Sequence, residues 1–195
     1  MMIPLTRKAS LIALGAALLA VSTFQAPSAQ ARGWAVANGN GAAGGWGHRF
    51  SGPNGGRFAG GGGAIANGNG GVYGRRFSAL GANGSYAQGG AAAGWKRGVG
   101  AVEGSRLSMR GPGGSTYNGY TGGGYNAQTG NGAFNSSRQV YDAKNGQNYG
   151  YTNNSTYARG QGGQTQIDTD HHGDYTVDWG NGQRPVVVQD PAGAQ

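Results

Sequence analysis

The sequence predicts an all-β protein of antiparallel hairpin repeats, arranged as a meander or a β-solenoid. Three observations predict it. Turn signals recur at a nearly constant interval, apolar residues alternate between them, and no stretch beyond the N-terminus keeps a helical period. The turn signals fall at Asn40-Gly41, Asn54-Gly55, Asn69-Gly70, Asn83-Gly84, Arg97-Gly98 and Pro112-Gly113. After one longer step they resume at Asn131-Gly132, Asn145-Gly146 and Gly160-Gln161. Asn-Gly suits the positive φ angles of a type I′ hairpin turn. A steady beat of such turns marks a repeat architecture.

The first element is not part of that architecture. Arg7 and Lys8 precede an apolar run from Leu11 to Val21, and Ala29-Gln30-Ala31 follows with small residues. This is the pattern of a secretory signal peptide over 1–31, cleaved after Ala31. The apolar run is shorter than the roughly 20 residues a membrane-spanning helix needs. Its location is therefore expected to be exported: periplasm, cell surface or medium. Nothing from Arg32 onward reads as a transmembrane segment. The chain has no Cys, so no disulfide stabilises it in an oxidising compartment.

Residues 32–159 form a basic Gly-rich repeat region. A hairpin unit opens on Arg, passes a Gly turn and ends on an aromatic. It reads RFSGPNGGRF from Arg49, RFSALGANGSY from Arg76, RLSMRGPGGSTY from Arg106 and RQVYDAKNGQNY from Arg138. Plainer arms of Gly, Ala and Asn separate the copies, and AVANGNG at 35–41 returns as AIANGNG at 64–70. The full repeat is about 30 residues with two turns, and four copies exceed the minimum of about three for a stacked array. Within the strands, Trp46, His48 and Phe50 alternate with Gly47 and Arg49. Ser105, Leu107 and Met109 alternate with Arg106, Ser108 and Arg110. Such a period of two predicts strands with one face on a core. Interspersed glycine would penalise a helix and suggests bends or close backbone approach in strands.

Residues 160–195 form an acidic C-terminal segment, with a terminal strand and a disordered tail. In DYTVDW, Tyr175, Val177 and Trp179 oppose Asp174, Thr176 and Asp178. From Arg32 to Arg159 there are 12 basic residues against Glu103 and Asp142, a net of +10. From Gly160 onward Arg184 stands against five aspartates, a net of −4. A basic body with an acidic end points to polyanion contact or to head-to-tail contact between copies. Gly makes up 44 of 195 residues, about three times ordinary usage. This composition leaves part of the chain open to disorder.

These GPNG-type turns joining short polar strands resemble the exported Gly/Asn/Tyr-rich hairpin-repeat proteins of proteobacteria. The resemblance covers most of the chain after residue 31 and is compositional. It implies an exported structural role. The chain departs from the curli-type subunits of biofilm fibres, because Gln88, Gln128, Gln147 and Gln164 do not keep their ladder spacing.

Candidate chemistry is sparse. Asp168, Asp170, His171, His172 and Asp174 offer carboxylates and imidazoles to a divalent metal, against the plainer reading of a polar turn. Asp178 extends that acidic cluster. The spacing matches no standard loop, and no nucleophile constellation accompanies the carboxylates. His48 reads as packing on an aromatic face. No Gly-rich string has the strand and helix context of a phosphate loop, so no cofactor is expected. Arg49, Arg76, Arg106 and Arg138 start successive repeats and form a candidate polyanion-binding ladder. The Arg and aromatic mixtures VYGRRF and GWKRG suit phosphate pairing and stacking. Export directs that chemistry to extracellular DNA, acidic polysaccharide or envelope components. The same arginines also serve simply to blunt exposed faces. The sequence thus points to a secreted, non-enzymatic structural or surface-interaction protein that self-associates. A soluble module for anionic polymers is the alternative, and a flat carbohydrate- or ice-binding face comes third, without a regular Thr ladder.

Overall fold

The computed structural model describes residues 28–52, 54–180 and 183–190. The leader expected at 1–31 lies outside the described residues as far as residue 27, as does the tail at 191–195. Twelve strands follow one another in a single sheet. They are β1 (Ser28–Asn38), β2 (Gly41–Ser51), β3 (Arg57–Asn67), β4 (Gly70–Leu80), β5 (Tyr86–Lys96) and β6 (Gly100–Arg110). The rest are β7 (Thr116–Asn126), β8 (Gly132–Asp142), β9 (Gln147–Ala158), β10 (Gly162–Thr169), β11 (Asp174–Gly180) and β12 (Gln183–Asp190). Spatial order equals sequence order, and each strand pairs antiparallel with the next. The fold is a meander and not a solenoid.

Two kinds of turn recur among the connections between strands. In the first the strand itself closes the loop. The Asn38 side-chain oxygen accepts from the N–H of Asn40 (2.9 Å) and Gly41 (3.1 Å). Asn67 does the same for Asn69 (2.8 Å) and Gly70 (3.1 Å), and Asn126 for Gln128 and Thr129. These are Asx turns. In the second a five-residue loop closes on itself: Gly84 N donates to Gly81 O (3.1 Å), and Gly81 N to Ser85 O (2.7 Å). Gly111 to Ser115 repeats the arrangement. One glycine in each takes the left-handed conformation, Gly84 at φ 79° and Gly114 at φ 90°. This is a turn followed by a single left-handed residue. The type I′ expectation, with two positive φ angles, is corrected on this point. Gly41, Gly70 and Gly132 instead begin strands.

Alternation sorts the side chains cleanly. Directly paired residues of an antiparallel sheet share a face. By register, Trp46, His48, Phe50, Ser105, Leu107, Met109, Tyr175, Val177 and Trp179 all stand on one face. The alternation read from the sequence is therefore realised, and this is called the aromatic face. The core that it was expected to meet is not there. Among the described residues no hydrophobic side chain is buried, and the layer stands alone.

Glycine explains how one layer holds its aromatic rings. Trp46 is paired with Gly62, Phe77 with Gly89, Trp95 with Gly71 and Trp179 with Gly163. A Cβ on Gly62 or Gly71 would lie 2.5 Å from the ring of its partner tryptophan. The rings lie over neighbouring backbone that carries no side chain. Covering about 100 Å² of each ring this way is worth roughly 2.5 kcal/mol. Rings on flanking strands then meet across the glycine strand. Trp46 on β2 stacks on Tyr73 of β4 at 6.2 Å, across β3, whereas Phe58 and Phe77 stack at 6.2 Å on the adjacent strands β3 and β4. Side-chain cover along the sheet replaces the second layer that sheets ordinarily need.

Candidate binding face

The second face is basic, and it also carries exposed apolar side chains, Trp34 among them. Register places Arg32, Arg49, Arg57, Arg76, Lys96, Arg106 and Arg110 on it. No Asp or Glu stands on this face from β1 to β9, because Glu103 and Asp142 belong to the aromatic face. Within it, rows cross the strands. One row runs Arg32, Gly47, Gly61, Arg76, Gly90, Arg106 and Tyr120. Arg76 and Arg106, two strands apart, are separated by about 9.6 Å along it.

The four arginines expected to form one ladder do not share a row. Arg76 and Arg106 do. Arg49 is paired with Gln30 and Ala59, one row nearer the turn. Arg138 is paired with Gly119 and Tyr151 and stands on the opposite face, its guanidinium 5.5 Å from the Tyr151 ring centre. The cause is the loop between β7 and β8. Lys96 pairs with Gly100 across the β5–β6 turn, but Tyr125 pairs with Gly132 across the longer β7–β8 connection. A one-residue change of register turns every side chain to the other face. The repeat alignment also missed Arg32, which completes the row, and Arg57 and Arg110. Parity within each strand was the signal that would have found them.

Glycine again shapes the surface. An open depression is floored by Gly47, Ala59 and Gly61 and rimmed by Arg32, Arg49 and Arg76. A Cβ on Gly47 would meet nothing closer than 3.8 Å. Further along the strands, Val36, Ile65, Val72 and Val102 form an aliphatic row on the same face, each 59–65 % exposed. The glycines Gly45, Gly63 and Gly74 lie between the arginine row and the aliphatic row.

The expected metal ligands are dispersed. Asp168, one residue before the end of β10, has its side chain exposed on the arginine face. Asp170 leans over Gly150, to whose carbonyl its N–H donates at 3.1 Å. The His171 ring is 2.7 Å from Asn148 O and packs edge-on against Tyr149 at 5.4 Å. His172 N donates to Thr169 Oγ1 (2.9 Å), and Asp174 Oδ1 accepts from Thr169 N (3.3 Å). Tyr175 OH donates to His172 O at 2.6 Å. These bonds build a turn. Among the described residues no three such groups converge as a metal site requires. His48 stacks on Phe58 with ring centres 5.2 Å apart, in keeping with a packing role.

What the arrangement offers is a broad face of fixed positive charge with an adjoining aliphatic row, and acidic groups at its far end. No helix among the described residues is long and apolar enough to cross a membrane. No family model, no curated protein and no solved structure matches the chain.

Proposed function

We propose that this is a secreted, non-catalytic structural or surface-interaction protein that associates with copies of itself. One observation carries the reading. Twelve strands lie in one layer with no buried apolar side chain among the described residues. Among the described residues nothing covers either face of the sheet, and open sheet faces recruit partners. The N-terminal leader pattern supports export to the periplasm, cell surface or medium. Sedimentation of the purified protein over a range of concentrations tests the reading. Growth in mass with concentration is expected. A monomer at every concentration overturns it.

A second reading has its own support. Six arginines and Lys96 share a face that holds no carboxylate over nine strands. Such a face suits an anionic polymer, either extracellular DNA or an acidic polysaccharide, with strongly salt-dependent affinity. Retention on immobilised heparin at low salt tests it.

A further inference from the structure

We infer that the arginine face is covered by the same face of a second copy, related by a two-fold axis parallel to the strands. This rests on the self-association reading and names its partner surface. Charge is divided along this one face. Strands β1 to β6 carry Arg32, Arg49, Arg57, Arg76, Lys96, Arg106 and Arg110, whereas β10 and β11 carry Asp168, Asp174 and Asp178.

A two-fold axis parallel to the strands reverses their order and keeps each row in place. Strand β10 of one copy then lies over β3 of the other, and β11 over β2. Asp168 shares its row with Gly61, and Asp170 lies beside Gly150 in the row of Ala59. Asp174 falls in the row of Gly47. The carboxylates therefore descend on the floor of the depression, between Arg32, Arg49 and Arg76. Asp168 and Asp174 also fit by size, since each meets a glycine, Gly61 and Gly47. Asp178 is not part of this contact, because Gln164 Nε2 donates to it at 2.9 Å and its row is the aliphatic one.

Area supports the same occupant. Twelve strands at about 4.8 Å spacing, most of them about 33 Å long, make a face of roughly 1,700 Å². A stable interface needs about 800 Å² from each partner, so partial overlap suffices. The pairing also covers Val36 and Ile65, which face Val186 and Gln164 of the other copy. Edge growth is hindered at β12, where Pro185 has no N–H to donate. An interface related by a two-fold axis closes on itself and yields a dimer.

Charge reversal and cross-linking test the inference on the purified protein. Asp168→Arg with Asp170→Arg should weaken the dimer by roughly tenfold or more, with the β circular dichroism spectrum kept. Adding Arg49→Asp and Arg76→Asp should restore it. The chain has no Cys, so Arg76→Cys with Thr152→Cys gives a second readout free of charge reversal. These positions stand on β4 and β9, about 24 Å apart within one copy, yet face each other across the two-fold axis. A short bis-maleimide should join two copies through them. If the protein associates but the reversed-charge pair changes nothing and no cross-link forms, this inference fails while self-association stands. If the wild type is always monomeric, both fail. Monomers that bind heparin mark the arginine face as a polyanion site instead.

Discussion

Tyr157 and Trp179 stack with ring centres 5.9 Å apart and planes 6° from parallel, although β10 runs between their strands. Gly163 pairs with both residues and has no side chain to separate them. Trp179 Nε1 donates to Thr165 Oγ1 at 3.0 Å, which fixes the ring over the glycine. A related arrangement recurs at Gly62, which pairs with Trp46 on the strand that separates it from Tyr73. In a sheet without a core, glycine holds the space in which the aromatic rings bury themselves.

Replacing Gly163 by Val should therefore destabilise the C-terminal part of the sheet. A Cβ there would lie 2.3 Å from Thr156 O and 2.6 Å from Trp179 Cζ2. A cost of about 1–3 kcal/mol is expected, with loss of the near-ultraviolet circular dichroism of the stacked pair. Chemical denaturation measures the first and spectroscopy the second. An unchanged midpoint with an intact aromatic signal would show that the glycine is dispensable.

Two loop glycines should respond in opposite directions. Neither Gly84 nor Gly113 has an atom within 4 Å of a built Cβ, but only Gly84 has a positive φ, 79°. Gly84→Ala should cost about 1–2 kcal/mol through backbone strain. Gly113→Ala should be neutral or stabilise by up to about 1 kcal/mol, because it restricts the unfolded chain. Paired thermal melts compare them. Equal losses would mean that loop conformation is not the cause.

The Asx turns predict a chemical rescue. Asn67→Ala removes the acceptor for Asn69 N and Gly70 N and should cost about 0.5–1.5 kcal/mol. Asn67→Asp keeps an acceptor at the same position and should recover most of that. An aspartate as damaging as alanine would count against the turn assignment.

For the anionic-polymer reading, position on the sheet decides the outcome. Arg32→Gln, Arg76→Gln and Arg106→Gln together should weaken heparin or DNA retention. For DNA, the logarithmic salt slope should fall by roughly three. Arg138→Gln, on the aromatic face, should leave retention unchanged. Equal effects from both would show that total charge matters and not the row.

The proposed export would carry a structural consequence. Cleavage after Ala31 would remove the partners of His48 to Ser51 in β1 and leave Arg32 to Asn38 as a seven-residue edge strand. Mass spectrometry of exported protein should find Arg32 at the N-terminus. An intact Met1 end would remove the leader reading.

The sequence by itself determined the class of the fold, the places of most of its turns and the alternation of side chains within strands such as β2, β6 and β11. These are local properties, because turn chemistry acts over a few residues and a strand alternates with period two. The face shared by different strands is not local. It depends on the number of residues in each loop, and the longer 127–131 connection put Arg138 opposite Arg106 although both are the seventh residue of their strands. The dispersal of His171 and Asp170 was likewise invisible, because hydrogen bonds to Asn148 and Gly150 on another strand decide where the turn lies. Only the tertiary structure decided that the described residues form a single layer. Alternation predicts that one face wants cover, but whether a core or the glycine backbone of the next strand supplies it depends on register, which aligns Trp46 with Gly62 and Trp179 with Gly163.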